Sequence, residues 1–514
     1  MKYFLTLIQL WVGFLSICAS YPKANIWIIP SVESPQVYRN YAQTSKVHLE
    51  MARGEVEHIQ LVFPSKVNEE YRFTFDRYLK GIQISARELK KMNGYYDALV
   101  PFKNQLKCTD TLTAVWITVQ CPSRVSVGKY HQTIKIEGSK HFTIQLDYNV
   151  HHTTIPLKSS IPITVGVENR CMTECLNDKE ADKERQRWVD FVLSYRMTPV
   201  FGTQITPERW QYEHSFSPWA WNDKRSIRLL NDRRYSCYML PFFTLSENEL
   251  ASLLCNIQKK GKLKESLFYI WDEPAYMEDY EQIKRKVNII RKYASDARIL
   301  TTFFCGPRNG PRKGDLYAVF DYLKHHIHVA TISLAPCKGN EEEVQHIRYK
   351  VPEGIDWWSY VCWQPGGNEP NFLLQMKGIQ QRAIMWRTWK NGSQGFLYWN
   401  CNIYHKRNPF TYITDMPHGD GILIYPGDIL GCKGPIASAR LERWRDGAEE
   451  MELLRLVEKN YSKEKADTLL NIVYSSPLSF IEKAHNIPFF RKELLDQLDK
   501  TIPIDYKLRI TDFI

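Results

Sequence analysis

The chain has 514 residues, 44% of them hydrophobic and 24% charged, with a formal net charge of +11. This composition is globular and excludes a disordered chain. The length exceeds one ordinary core and points to two domains, or to one large barrel with an added module. No basic cluster is dense enough to form a nucleic-acid stripe. Runs such as Lys284-Arg285-Lys286 lie at helical spacing with acids nearby and read as a solvated helix face.

Residues 1–20 have the layout of a secretory signal peptide. Lys2 gives a positive start. Leu5 to Ile17 is apolar except for Thr6, Gln9, Gly13 and Ser16, and Cys18-Ala19-Ser20 offers small residues for cleavage. The apolar run is shorter than the roughly 20 residues that span a bilayer, and no later segment is apolar enough to do so. The expectation is a secreted or lumenal protein with no membrane span once this segment is removed.

Removing Cys18 from the 12 cysteines leaves 11, and in an oxidising compartment some of them pair. Cys108 and Cys121 flank an apparent hairpin and are one expected pair. Cys171 and Cys175 are close enough to pair or to sit free. The spacings give no paired C-x-x-C zinc pattern, so no structural metal is expected. Two N-glycosylation acceptors, Asn391-Gly392-Ser393 and Asn460-Tyr461-Ser462, are expected on the surface.

From 24 to 155 the chain runs in short alternating segments, among them HIQLVF, TAVWITVQC, YHQTIKIEG and FTIQLDYNV, separated by turn residues. This pattern predicts an N-terminal β-sandwich domain. HHTTIPLKSSIP then reads as a linker. From Ile161 apolar runs alternate with amphipathic stretches. The runs are ITVGVE, TPVFG, CYMLPFF, LFYIW, ILTTFF, VATISL, DWWSYV and GFLYW. Helical spacing falls at 179–195, 247–260, 276–293, 320–326 and 372–389. Eight strands alternating with helices predict an α/β fold, a (β/α)8 TIM-like barrel over 161–460, with a doubly wound open sheet as the alternative. A Pro/Gly-rich loop after Cys401 leads to a long charged helix at 437–459. Residues 461–514 then form a C-terminal helical extension.

LFYIW is the fourth run, and Asp272-Glu273 stands at its C-terminal end. In barrel enzymes that end of the strands carries the active site. The alternative is an acidic helix start, with Asp as cap and Pro274 in the first turn. Adjacent Cα atoms lie about 3.8 Å apart, which serves poorly as a clamp across a glycosidic bond, where two acids stand about 5–9.5 Å apart. Adjacent acids suit another division of labour. One protonates the glycosidic oxygen, and its neighbour holds the substrate's own 2-acetamido group as internal nucleophile. Coupling between the two raises one pKa and keeps a proton available near neutral pH.

Aromatic residues close two later strands: Trp357-Trp358-Ser359-Tyr360 and Tyr398-Trp399-Asn400. Flat rings pack on the apolar faces of sugars, while Tyr and Asn donate to hydroxyl or amide oxygens. Trp358, Tyr360, Trp399 and Asn400 are therefore the candidate substrate-binding residues. Core packing is the alternative for each ring.

Together these residues form a recognisable set. The chain resembles glycoside hydrolase family 123, whose characterised activity is β-N-acetylgalactosaminidase. The matching pieces are Ile270-Trp271-Asp272-Glu273-Pro274, Trp357 to Tyr360, Gly395 to Trp399, Gly419-Asp420-Gly421 with Tyr425-Pro426-Gly427, and Arg440-Leu441-Glu442 with Arg445-Asp446-Gly447. The resemblance implies that Asp272 orients and polarises the 2-acetamido group and that Glu273 is the general acid/base. It makes Tyr360 a donor to the acetamido oxygen and Trp399 the floor under the sugar. It implies a glycan substrate and no cofactor. Arg445-Asp446-Gly447 has a structural reading, an Arg–Asp pairing that pins the last helix to the barrel.

Two other readings remain open at the level of sequence. Glu273 could work with Glu369, which follows the seventh run, as a two-glutamate retaining glycosidase. Against this, Glu369 falls in a Gly/Pro-rich loop and reads as a solvent-exposed acid. The chain could also be a non-catalytic glycan-binding protein. A Ser/His/Asp hydrolase lacks its G-x-S-x-G elbow here.

Overall fold

The computed structural model describes residues 26–76, 81–174, 176–206, 209–211, 228–241, 246–404, 408–409 and 418–501. The expected signal peptide and Cys175 lie outside the described residues.

The first module is a sandwich of two five-stranded sheets. One has the order Trp27–Pro30, Glu55–Pro64, Leu112–Cys121, Gln83–Met92, Tyr95–Pro101; the other, Lys46–Arg53, His141–Thr154, Gly128–Glu137, Glu70–Phe75, Gln105–Lys107. Alternation in the sequence sets the faces. Along His141–Thr154, residues Phe142, Ile144, Leu146, Tyr148 and Val150 point into the sandwich core. Glu55–Pro64 is buried on both faces. Ile59, Leu61 and Phe63 enter the sandwich core, whereas His58 turns the other way, to Glu442 and Asp446 of the second module.

The second module is a barrel of eight parallel strands: β1 (Ile163–Glu168), β2 (Thr198–Thr206), β3 (Tyr238–Pro241), β4 (Ser266–Trp271), β5 (Arg298–Phe303), β6 (Val329–Ser333), β7 (Asp356–Val361) and β8 (Phe396–Tyr398). Neighbours pair in sequence order from β3 to β8, β8 pairs with β1, and β1 pairs with β2. Among the described residues the ring is hydrogen-bonded everywhere except between β2 and β3. The eight expected runs supply these eight strands, so the barrel replaces the open-sheet alternative. Helices α1 (Asp178–Ser194), α2 (Glu247–Lys259), α3 (Met277–Tyr293), α4 (Ala318–Leu323), α5 (Glu341–Lys350), α6 (Gly378–Lys390) and α7 (Ala439–Asn460) surround it. The helix expected from 372 starts only at Gly378, where the Lys377 backbone N–H donates to Gln380 Oε1 at 3.0 Å.

Along β4 to β7 one parity faces the lumen and the other the helices. Leu267 and Tyr269 of β4, Leu300 of β5, Val329 of β6, and Trp358 and Tyr360 of β7 form the interior cluster. Phe268, Ile270, Ile299, Phe303, Trp357 and Val361 pack outward. Strands buried on both faces read as continuous apolar runs, which is why they were legible.

The joint between the modules is polar. Helix α7 is charged nearly all round and yet buried along most of its length. Its acids are paired: Glu442 with Arg87 at 2.6 Å, Glu449 with Arg196 at 3.1 Å, and Glu450 with Arg382 at 2.6 Å. Arg440 reaches Asp97 of the sandwich at 2.9 Å. The expected Arg445–Asp446 pairing takes a different form. Arg445 bonds Glu442, while Asp446 bonds Arg382 of α6 at 3.0 Å. A Cβ at Gly447 would lie 2.2 Å from the Arg382 carbonyl oxygen, so glycine is what lets α6 and α7 touch.

Three sequence expectations are corrected. Every described cysteine is free. Cys108 and Cys121 do not flank a hairpin: Cys108 precedes the strand Leu112–Cys121, and Cys121 ends it. That strand is about 30 Å long at ~3.3 Å per residue, far beyond disulfide reach. The acceptor Asn391 is fully buried, so it is not a surface site, whereas Asn460 is exposed. No described helix is long and apolar enough to cross a membrane.

Candidate active site

Consecutive side chains on a strand point to opposite faces, so Asp272 and Glu273 could not both face the lumen from a regular β4. Two local departures solve this. The pairing of β4 with β5 slips between Tyr269 and Trp271, which stands opposite Thr301. This bulge turns Trp271 outward and brings Asp272 inward, level with Thr302. Glu273 then adopts φ +44°. That left-handed conformation is costly for a residue with a Cβ and is held by tertiary contacts. Its backbone N–H donates to Thr302 Oγ1 at 3.0 Å.

The two acids have different surroundings. Asp272 Oδ1 accepts from the Tyr269 hydroxyl at 2.5 Å and from Thr302 Oγ1 at 2.7 Å. Among the described residues, no side chain bonds its other oxygen. Glu273 crosses the mouth, and Tyr360 at the end of β7 donates to its Oε1. Glu273 is open to solvent at the mouth yet crowded by protein. Burial pushes its pKa up to about 7, with the Asp272 charge adding to the rise, against the opposing pull of the Tyr360 hydrogen bond and of Arg308. The pair thus presents one carboxyl that holds a proton near neutral pH and one tethered carboxylic side chain with a free edge.

The structure brings Tyr360 to the pair, where its hydroxyl serves Glu273. Trp399 directly follows β8, half-buried, and its indole N–H donates to Asp420 Oδ1 at 3.0 Å. Asp420 also accepts from the Tyr398 hydroxyl at 3.0 Å, and burial pushes its pKa up to about 6. Trp358 is not at the mouth. It fills the lumen against Gly395, where a Cβ would lie 2.1 Å from its ring. Asn400 is fully buried, and its Oδ1 accepts the Asn402 N–H at 2.8 Å, shaping the turn after β8. Glu369 is not the exposed loop acid expected. It is buried and paired with Arg387 of α6 at 2.8 Å.

Reading the sequence missed Tyr269 and Thr302, the two hydroxyls that hold Asp272. Strand parity was the available signal: Tyr269 follows Leu267 by two, and Thr302 follows Leu300 by two. Among the described residues, no group of three or more His, Cys, Asp or Glu side chains is arranged to hold a metal. A cavity of 1130 Å³ opens between the sandwich, the Leu374–Gly378 loop and the C-terminal Ile481–Lys492 segment, and neither Asp272 nor Glu273 lines it.

The paired acids stand at the C-terminal end of the fourth strand, the end of the barrel at which barrel enzymes carry their active sites. The model of the glycoside hydrolase 123 catalytic domain matches residues 183–457, and the chain belongs to that family of glycoside hydrolases. The fold is similar to a family 123 glycoside hydrolase from Clostridium perfringens, with 13% identity and a TM-score of 0.62, covering 95% of this chain and 100% of that one. A β-D-glucuronidase from Dictyoglomus thermophilum matches at 8% identity and a TM-score of 0.32, covering 79% of this chain and 71% of its own. Bacteroides uniformis β-glucuronidase 2 matches at 10% and 0.31, covering 78% and 48%. No curated protein matches the chain.

Proposed function

We propose that the protein releases a terminal β-linked N-acetylhexosamine, N-acetylgalactosamine in the first instance, with retention and by substrate-assisted catalysis. The observation that carries this reading is the pair itself. Two adjacent carboxyls are turned to one mouth by a bulge and a left-handed residue, one with its pKa at about 7 and the other tethered through a single oxygen. Side chains so close together cannot bracket a sugar from both faces, but they can serve two neighbouring groups of one substrate.

In this reading Glu273 gives its proton to the glycosidic oxygen as the bond to the anomeric carbon breaks. The acetamido carbonyl oxygen of the same sugar forms the new bond to that carbon. Asp272 accepts the amide N–H on its free edge, which aligns the acetamido group and stabilises the positive charge developing there. Tyr269 and Thr302 fix Asp272 through its other oxygen. Glu273, now a carboxylate, takes a proton from the water that opens the cyclic intermediate. The half-buried Trp399, fixed by Asp420, is the floor under the sugar.

The test is hydrolysis of the p-nitrophenyl β-glycosides of N-acetylgalactosamine, N-acetylglucosamine and galactose by the wild-type chain and Asp272→Asn. Cleavage confined to N-acetyl sugars and reduced to a small residual rate in the variant is the expected result. Turnover of the plain galactoside would refute an internal acetamido nucleophile.

A further inference from the structure

We propose that Phe304 and Trp363 form the subsite for the leaving-group sugar, so that the natural substrate is a chain in which the released residue is linked to another pyranose. The inference rests on the glycosidase reading above. Trp363 is 42% exposed and its ring stacks on Phe304, with centroids 6.5 Å apart and planes 18° from parallel. Isolated exposed apolar residues need no explanation. Two rings brought parallel from two separate strands at the rim of a barrel are a different matter, because each loop must be set to meet the other. Phe304 directly follows β5 and Trp363 lies two residues past β7.

Their place relative to the acids follows from the chain. Thr302, which bonds Asp272, is two residues before Phe304. Tyr360, which bonds Glu273, is three residues before Trp363. At about 3.3–3.6 Å per residue, each aromatic Cα lies within ~10–11 Å of the Cα of a residue that holds one of the acids. The rings span the β5-to-β7 side of the mouth, toward which Glu273 reaches. The proton goes from Glu273 to the leaving group, so the leaving group occupies that side. Trp399, just past β8, remains for the sugar that is released. An exposed ring fixed by a second ring offers a sugar face a flat apolar surface that loses little freedom on binding.

The experiment compares two substrates. One is a disaccharide of N-acetylgalactosamine β-linked to galactose. The other is the β-glycosyl fluoride of N-acetylgalactosamine, which carries no leaving-group sugar. In Trp363→Ala the ratio of kcat/KM for disaccharide over fluoride should fall about tenfold, the scale of one aromatic contact, and Trp363→Phe should recover most of it. An unchanged ratio, whether from no loss or from equal loss on both substrates, overturns the subsite. If the wild-type chain cleaves neither, the underlying reading fails and takes the subsite with it.

Discussion

The molecule crowds carboxyl groups together in two places, the rim of β4 and the length of α7. At the rim, Asp272 and Glu273 take their hydrogen bonds from the Tyr269, Thr302 and Tyr360 hydroxyls, and no described cation bonds either. Along α7, guanidinium groups take up the acids. For Glu442, burial opposes ionisation, but Arg445, Arg87 and His58 outweigh it and hold the group well below the usual carboxylate range. A raised pKa does not separate the two regions. Burial pushes Asp446 up to about 7, as it does Glu273. Access separates them: Asp446 is 1% exposed and tied to Arg382, whereas Glu273 opens to the mouth. A carboxyl poised near neutrality marks a working acid only where substrate can reach it.

Matched substitutions sharpen this contrast. Glu273→Gln should lose roughly 10²–10⁴-fold in rate on poorly activated glycosides and less where the leaving group needs no proton. Its melting temperature should stay close to wild type. Arg382→Met should do the reverse. It leaves Asp446 buried without Arg382 and Glu450 with only Arg491, 3.6 Å away, which costs about 3–5 kcal/mol of stability, while kcat at low temperature stays near normal. Denaturant midpoints and initial rates on both variants decide the matter, and a rate loss in Arg382→Met with unchanged stability would break the division.

A smaller effect tests the tether. Thr302→Val removes the hydroxyl that bonds Asp272 and accepts from the Glu273 N–H. Losing a hydrogen bond to a charged group, about 1.5–3 kcal/mol, predicts a 10- to 100-fold fall in kcat. The fall should appear equally on activated and unactivated N-acetylglycosides, because Thr302 positions the group that holds the nucleophile. A loss confined to unactivated substrates would instead place Thr302 in the proton path.

How much of this was legible in the sequence follows from what fixes each feature. The barrel runs were legible because strands such as β4 to β8 are buried on both faces. The order LFYIW-Asp272-Glu273 placed the acids at the rim before any geometry was known. What turns both acids the same way was not legible. The bulge at Tyr269–Trp271 depends on the pairing with β5, and φ at Glu273 on a hydroxyl 29 residues away. Trp357 and Trp358 look alike in sequence, yet register alone sends one outward and the other into the lumen. Glu369 looked exposed because its partner Arg387 stands on the following helix, and Asn391 looked exposed because a glycosylation motif says nothing of burial.

The finest test is the pH profile of kcat/KM on an unactivated N-acetylglycoside. Glu273 donates only while protonated, and its pKa stands at about 7. Activity should therefore persist below that pH and be lost as pH rises through it. Burial is the largest cause of the shift, and neither of two isosteric changes at the rim alters it much. Asp272→Asn removes the neighbouring negative charge that raises the Glu273 pKa, so the alkaline limb of its residual activity should move to lower pH. Tyr360→Phe removes a hydrogen bond that favours the carboxylate, so its limb should move to higher pH. Opposite displacements from two substitutions that touch the same carboxyl are hard to obtain from general damage to the barrel. Limbs that stay together would mean that the titrating acid is not Glu273.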